Sequence, residues 1–128
     1  MVVAILSFCA AMFALMGVLS LVRPLDVVRQ FGVRELTADG RNEMFAVYGG
    51  FGLATAGVLF AAIFVPSVRP GVLLAVAFAL GGMALGRLFS FAAERRIGRF
   101  PRLYLALELI GAALLAYAFA ADYARHAA

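Results

Sequence analysis

Two charged side chains lie inside otherwise apolar stretches of this sequence, and they are the residues best suited to chemistry. Arg87 lies six residues before the end of the third apolar stretch, and Glu108 lies five residues after the start of the fourth. A charge inside a membrane span costs about 3 kcal/mol unless it is paired or hydrated. Arginine holds phosphate or carboxylate through parallel hydrogen bonds, and a carboxyl group can act as a general acid or base.

The depths of these two residues predict that they meet. At a rise of about 1.5 Å per residue, both lie about 8–10 Å inside the same face of the membrane. Helices that are joined by a short loop are neighbours in a bundle, and only a short loop separates the third stretch from the fourth. We therefore predict a structural ion pair between Arg87 and Glu108.

Further polar residues reach the same depth from the second apolar stretch, which begins RNEMFAVYGG. Asn42 is placed to cap the start of that helix, and Tyr48 follows it at a depth of about 6–9 Å. The sequence predicts a polar pocket whose candidate binding residues are Asn42, Tyr48, Arg87, Ser90 and Glu108. Four more residues are expected around its mouth: Arg41, Glu43, Glu94 and Tyr104.

Three roles for the Arg87–Glu108 pair stay open at this stage. The pair locks two helices in register, or Arg87 binds a lipid head group or another anion, or Glu108 performs acid–base chemistry on a lipid. No catalytic residue is assigned.

The composition identifies the class of protein in which this pocket must lie. Of 128 residues, 66% are hydrophobic and 14% are charged, and the mean hydropathy is +1.03. Soluble domains contain about 45–50% apolar and about 25% charged residues, so a water-soluble enzyme is excluded. With one cysteine, Cys9, and one histidine, His126, the chain lacks an internal disulfide, a haem held by two histidines and an ordinary zinc site. We predict no cofactor and no metal.

Four stretches are long enough to cross a bilayer, which takes about 20 residues. They cover residues 1–22, 45–65, 71–93 and 103–121 of a single domain. The predicted fold is an all-α integral membrane protein, an antiparallel bundle of four transmembrane helices. Small residues three or four apart predict the packing faces: Ser7, Ala11 and Ala14; Gly50 with Ala54 and Gly52 with Ala56; Gly82, Gly86 and Ser90; Ala112, Ala116 and Ala120.

All eleven basic residues are arginine, and their distribution predicts the orientation. Residues 23–44 and 94–102 hold eight of them, whereas the second connection and the C-terminal tail hold Arg69 and Arg125. The positive-inside rule places the two arginine-rich loops in the cytoplasm and both termini outside. The basic excess is thus a topology signal, and no nucleic-acid partner is predicted. Within the first loop, residues 24–38 are expected to form either a surface amphipathic helix or an irregular connector.

Three segments of the chain resemble a known family: NEMFAVYGG (residues 42–50), GRLFSFAAE (86–94) and ELIGAALLAY (108–117). They are similar to the bacterial family called domain of unknown function 4345, whose members also resemble the DoxX-like proteins. The matching positions are Asn42, Tyr48, Gly49, Gly50, Arg87, Ser90, Pro101 and Glu108. Two positions depart from the family pattern: Phe45 replaces an arginine, for which Arg41 could substitute, and Glu94 replaces an Asp–Gly step. The resemblance implies a small four-helix protein of the bacterial inner membrane and no particular activity.

The favoured function is non-enzymatic binding of a lipid or of a partner membrane protein, with membrane lipids and a homodimer among the expected partners. Two alternatives stay open, a membrane-embedded enzyme acting on a lipid and a small transporter. Small multidrug transporters have an essential glutamate in the first helix, where this chain has no charge.

Overall fold

The chain folds into four long helices joined by short connections. The computed structural model describes residues 1–95 and 98–127. The first long helix is α1 (Val2–Val22), and the short helix α2 (Pro24–Arg29) follows it. The second long helix is composite: α3 (Ala38–Glu43), a π-helical segment (Met44–Gly50) and α4 (Phe51–Phe64) run on without a break. The third and fourth are α5 (Arg69–Glu94) and α6 (Arg99–Ala127).

All four long helices are apolar and long enough to cross a membrane. Each packs on its chain neighbours, and α1 also touches α6, so the four close into a bundle. The protein is therefore an all-α multi-pass membrane protein, as the composition predicts. We call the end of the bundle that holds both Val2 and Ala127 the terminal end, and the end that holds residues 23–37, Arg95 and Gly98 the loop end. Arg96, which entered the orientation argument, lies outside the described residues.

The second long helix begins earlier than its apolar stretch. The Thr37 hydroxyl accepts a hydrogen bond from the Gly40 backbone N–H at 3.0 Å and caps the start of α3. The prediction that Asn42 caps this helix is wrong, because the helix is already formed when it reaches Asn42, which is exposed in its last α3 turn. Hydropathy measures the apolar thickness, and polar residues extend the helix beyond it.

The π-helical segment sets which side chains of the composite helix are buried. Met44 and Gly49 are both buried although they are five residues apart. In an α-helix, two residues five apart are about 140° from each other around the axis, whereas the wider π turn brings them into line. The extra residue therefore shifts the buried face before α4 begins, and Gly52, Thr55, Ala56, Leu59 and Ala62 continue it.

Three glycines allow α1 and the composite helix to approach closely. A Cβ atom on Gly17 would lie 2.9 Å from Leu53 Cγ and 3.0 Å from the Gly49 carbonyl oxygen. A Cβ atom on Gly52 would lie 3.2 Å from Gly17 Cα. Helices in lipid associate through such backbone proximity, because burial of apolar side chains gives no advantage there.

The apolar core lies in the terminal half of the bundle. Every long helix contributes to it: Val2, Leu6, Cys9 and Ala10 from α1, Leu59 and Ala62 from α4, Leu73, Val76, Ala77 and Leu80 from α5, and Leu115 and Ala118 from α6. In α1, α5 and α6, the parts that continue toward the loop end lie outside this cluster. The bundle is thus tightly packed at one end and more open at the other.

Several of the predicted small-residue faces are not the packing faces. Gly82, Gly86 and Ser90 are exposed on α5, and Ala116 and Ala120 are exposed on α6. A strict four-residue repeat turns about 40° per step around an α-helix, so it leaves the contact after one or two turns. The buried line on α6 alternates steps of three and four residues and consists of Glu108, Gly111, Leu115, Ala118 and Asp122. In the composite helix the Gly52–Ala56 pair is buried, but Gly50 and Ala54 are exposed, as are Ser7 and Ala11 on α1.

The first connection contains a shorter helix than the amphipathic one considered for residues 24–38. Helix α2 ends at Arg29, and Gly32 follows with a φ of +86°. That left-handed conformation is readily adopted by glycine and ends the helical path. Residues 33–37 then run to the cap of α3 without helical structure.

The close approach at Gly17 predicts a selective sensitivity to added methyl groups. Gly17→Ala should lower the free energy of unfolding by about 1–3 kcal/mol, because the new Cβ overlaps Leu53 and Gly49. Gly82→Ala is the matched control: it makes the same chemical change within a span where no atom lies within 4 Å of the new Cβ. Thermal unfolding of both variants in detergent measures the difference, and equal melting temperatures would contradict the proposed helix contact.

Candidate functional site

The two charges predicted to meet inside the bundle are in contact. Arg87 Nε donates to both carboxylate oxygens of Glu108, with both N–O distances 2.8 Å. The Glu108 side chain is 6% exposed and the Arg87 side chain 25%. The carboxylate is therefore enclosed, while the Arg87 side chain stays partly exposed.

The α5–α6 hairpin positions this pair. Arg87 lies about two turns before α5 ends, and Glu108 lies nine residues after α6 begins. Glu108 belongs to the buried line of α6, so its side chain must point toward α5. The depth argument from sequence identified both residues.

The guanidinium also lies over an aromatic ring that connects it to the first loop. Arg87 Cζ is 5.4 Å from the ring centroid of Tyr104, within the range of a cation–π interaction. The Tyr104 hydroxyl donates to Gln30 Oε1 at 2.6 Å, and its ring lies 5.7 Å from that of Phe31. Tyr104 thus ties the end of α2 to the ion pair. From the sequence, Tyr104 is expected only at the mouth of the pocket, and Phe31 only on the apolar face of a possible surface helix. Their contact and the role of Gln30 are missed, because the path of the connector does not follow from periodicity.

The terminal nitrogens of Arg87 remain available. Within residues 1–95 and 98–127, neither Nη1 nor Nη2 makes a hydrogen bond, since Glu108 is bound through Nε alone. The Tyr48 hydroxyl likewise has no hydrogen-bond partner in the described part of the chain. Together these groups can donate five hydrogen atoms.

Two hollows meet at Arg87. The first, which we call the apolar cavity, has a volume of about 270 Å³ and lies between α1, α5 and α6, with Val27, Gln30 and Phe31 of the first connection beside it. The second, which we call the polar groove, is more open and has a volume of about 470 Å³. Its lining consists of Tyr48, Met83, Gly86, Arg87, Ser90, Gly98 and Pro101. Tyr48, Met83 and Arg87 line both hollows.

The predicted pocket is thus brought together in part. Tyr48, Arg87 and Ser90 line the polar groove, and Glu108 lines the apolar cavity. Asn42 lines neither of them. Its position near the end of α3 follows from the early start of that helix.

A second buried ion pair lies at the terminal end, and the sequence analysis missed it. Arg69 Nη1 is 3.3 Å from Asp122 Oδ1, and the Asp122 side chain is 1% exposed. Arg69 also donates to the carbonyl oxygens of Ala62 at 2.8 Å and Ile63 at 3.0 Å, in the last turn of α4. One signal was available: Asp122 follows Glu108 by fourteen residues, close to four helical turns, so the two acids share a face.

The fold and this site together define a class: a small multi-pass membrane bundle with an intramembrane arginine that opens onto two hollows. The chain belongs to the family described as Domain of unknown function (DUF4345), whose model matches residues 2–119. No curated protein and no solved structure matches the chain. The match does not extend to a relationship with the DoxX-like proteins, which stays a prediction from the sequence.

Because Glu108 is buried, we expect replacement of Arg87 and replacement of Glu108 to lower the stability of the protein by different amounts. Arg87→Met should cost about 3–5 kcal/mol of stability, because it strands a buried carboxylate. Glu108→Met should cost less, since the guanidinium can turn into the groove. Replacing both residues should cost less than Arg87→Met alone. Unfolding in detergent provides the double-mutant cycle, and additive losses would show that the two side chains do not stabilise each other.

Arg69 offers a matched comparison at the other end. Arg125 is also near Asp122, at 3.9 Å, but its side chain is 61% exposed. Arg69→Met should lower stability by about 2–4 kcal/mol, because it removes the ion pair and two bonds to helix-terminal carbonyls. Arg125→Met should change it by less than about 1 kcal/mol. Similar melting temperatures for the two variants would contradict this assignment.

Proposed function

We propose that this protein is a non-enzymatic lipid-binding protein that holds an anionic lipid head group at Arg87, between the helices. The observation that carries the proposal is that the ion pair occupies only one of the three nitrogens of the Arg87 guanidinium. Nε donates to Glu108, whereas Nη1 and Nη2 have no hydrogen-bond partner among the described residues, and the Arg87 side chain lines both hollows. Charge-assisted hydrogen bonds from such nitrogens to phosphate or carboxylate are short and strong.

The polar groove supports the same conclusion. Tyr48 and Ser90 add two hydroxyl groups to the lining of the polar groove, and Gly86 contributes no side chain to it. The first turn of α6 beside the groove carries Arg99 and Arg102. Arg102 Nε donates to the carbonyl oxygen of Gly98, which lines the groove. An anion that approaches from the loop end therefore meets a positive field before it reaches Arg87.

The orientation that we propose places this groove on the cytoplasmic side. Eight of eleven arginines belong to residues 23–44 and 94–102, so the loop end faces the cytoplasm by the positive-inside rule. We propose the bacterial cytoplasmic membrane as the location, with both termini on the opposite side. The ligand would then be taken from the inner leaflet.

Lipid retention during purification tests the proposal. The protein, purified in a mild nonionic detergent, should carry an anionic lipid that native mass spectrometry detects as an added mass. The double variant Arg87→Met with Glu108→Met should lose it, because the donors are gone and no charge is left stranded.

The matched control removes an ion pair elsewhere. Asp26 and Arg29 form an exposed pair at 3.3 Å on α2, and Asp26→Ala with Arg29→Met should retain the lipid. A bare wild-type protein, or equal lipid retention in both double variants, would overturn the proposed binding at Arg87.

A further inference from the structure

We infer that the ligand is an anionic amphiphile with a single hydrocarbon chain, whose head lies at Arg87 in the polar groove and whose chain lies in the apolar cavity. This inference rests on the proposed function and specifies the substrate class. The shared chemistry is an anionic carboxylate or phosphate head on one chain, as in a free fatty acid or a lysophospholipid.

The continuity of the two hollows carries the first step. Tyr48, Met83 and Arg87 each line both, so a molecule can touch the guanidinium and pass from groove to cavity without leaving the protein. The groove is lined by two hydroxyl groups, a guanidinium and two glycines, together with Met83 and Pro101. The cavity is lined mainly by aliphatic, aromatic and methionine side chains. A ligand that fills both must be polar at one end and apolar at the other.

The volume of the apolar cavity limits how much hydrocarbon it can hold. A cavity of about 150 Å³ lined by apolar side chains stays dry and binds benzene. The volume of about 270 Å³ here is somewhat less than twice that. It accepts a segment of one hydrocarbon chain, and a second chain on the same head group would have to lie outside the cavity.

The apolar cavity has an opening through which a lipid can enter. Phe8, Leu15 and Leu19 of α1 and Leu107 and Ile110 of α6 line the cavity, yet each is more than 40% exposed. The cavity therefore opens sideways between α1 and α6, toward the place where lipid chains lie. A hydrocarbon chain that is longer than the apolar cavity can extend through this opening into the bilayer.

The first half of the first connection covers the cavity at the loop end. Val27 and Phe31 line the cavity near the loop end, and the Gln30–Tyr104 hydrogen bond of 2.6 Å holds this segment against α6. Tyr104 also lies beside the guanidinium. The part of the ligand's hydrocarbon chain next to its head group is thus shielded from water.

Four probes distinguish this inference from the proposal on which it rests. The full-length protein, stripped of lipid in a nonionic detergent, is titrated with oleate, lysophosphatidate, phosphatidate and monoolein, and bound masses are counted by native mass spectrometry. We expect one molecule of oleate or lysophosphatidate to bind, and the stronger of the two identifies the head group. Phosphatidate, which has two hydrocarbon chains, and monoolein, which has no charge, should each bind at least about tenfold more weakly than the better of these two probes.

A variant that fills the cavity provides the second readout. Met12 lines the cavity and is 38% exposed, and Val18 on the same helix lies outside the lining and is 48% exposed. Met12→Trp should weaken binding of the single-chain anion about tenfold, because the indole occupies the space of the chain. Val18→Trp, the control, should bind as the wild type does, and both variants should keep the wild-type melting temperature within a few degrees.

The outcomes separate the two claims. If phosphatidate binds as tightly as lysophosphatidate and Met12→Trp binds normally, the single-chain inference is wrong and the binding of anionic lipid at Arg87 stands. If monoolein binds as tightly as oleate, or no anionic probe binds, both claims fail. If Met12→Trp unfolds, Leu15→Trp takes its place, because Leu15 lines the same cavity and is 52% exposed.

Discussion

The cost of placing charge in an apolar bundle is the constraint on which the rest of this structure depends. A lone ionised group at membrane depth is unfavourable by several kcal/mol, so each buried charge here has a partner at a defined position. Arg69 and Arg87 are eighteen residues apart, five full turns of α5, and therefore share one face. Asp122 and Glu108 share the matching face of α6. Two ion pairs thus fix the register of the α5–α6 hairpin near both of its ends.

The two pairs differ in their surroundings, and the difference separates a structural end from an open one. At the terminal end, Arg69 also donates to two carbonyl oxygens of α4 and lies next to the apolar core. At the loop end, Arg87 lies between two hollows and uses only Nε on its partner. The contact of α1 with the composite helix continues toward the loop end through Gly17, Gly49 and Gly52. In that half of the bundle, the apolar cavity lies between α1 and α6.

The sequence predicts those features that depend on counting along a single regular helix. The four spans, the fold class and the meeting of Arg87 with Glu108 follow from apolar length and from depth below the helix ends. Features that depend on an irregular element do not follow. Thr37 starts the second helix earlier than hydropathy indicates, which leaves Asn42 outside the site, and the π turn shifts the buried face by one residue. The contact of Tyr104 with Gln30 requires the left-handed turn at Gly32, and no periodicity encodes it.

The need for Glu108 follows from where an unpaired arginine would go. A long basic side chain near the end of a membrane helix extends toward the head-group region, because its charge is hydrated there. Glu108, enclosed on the buried line of α6, holds Arg87 at depth through Nε and leaves Nη1 and Nη2 directed elsewhere. The pair is neutral as a whole, so its burial is tolerable, yet it still offers donors with positive charge where an apolar cavity begins. Glu108 is on this argument a positioning residue for Arg87, and the lipid-binding site that we propose is the part of the guanidinium that the ion pair does not use.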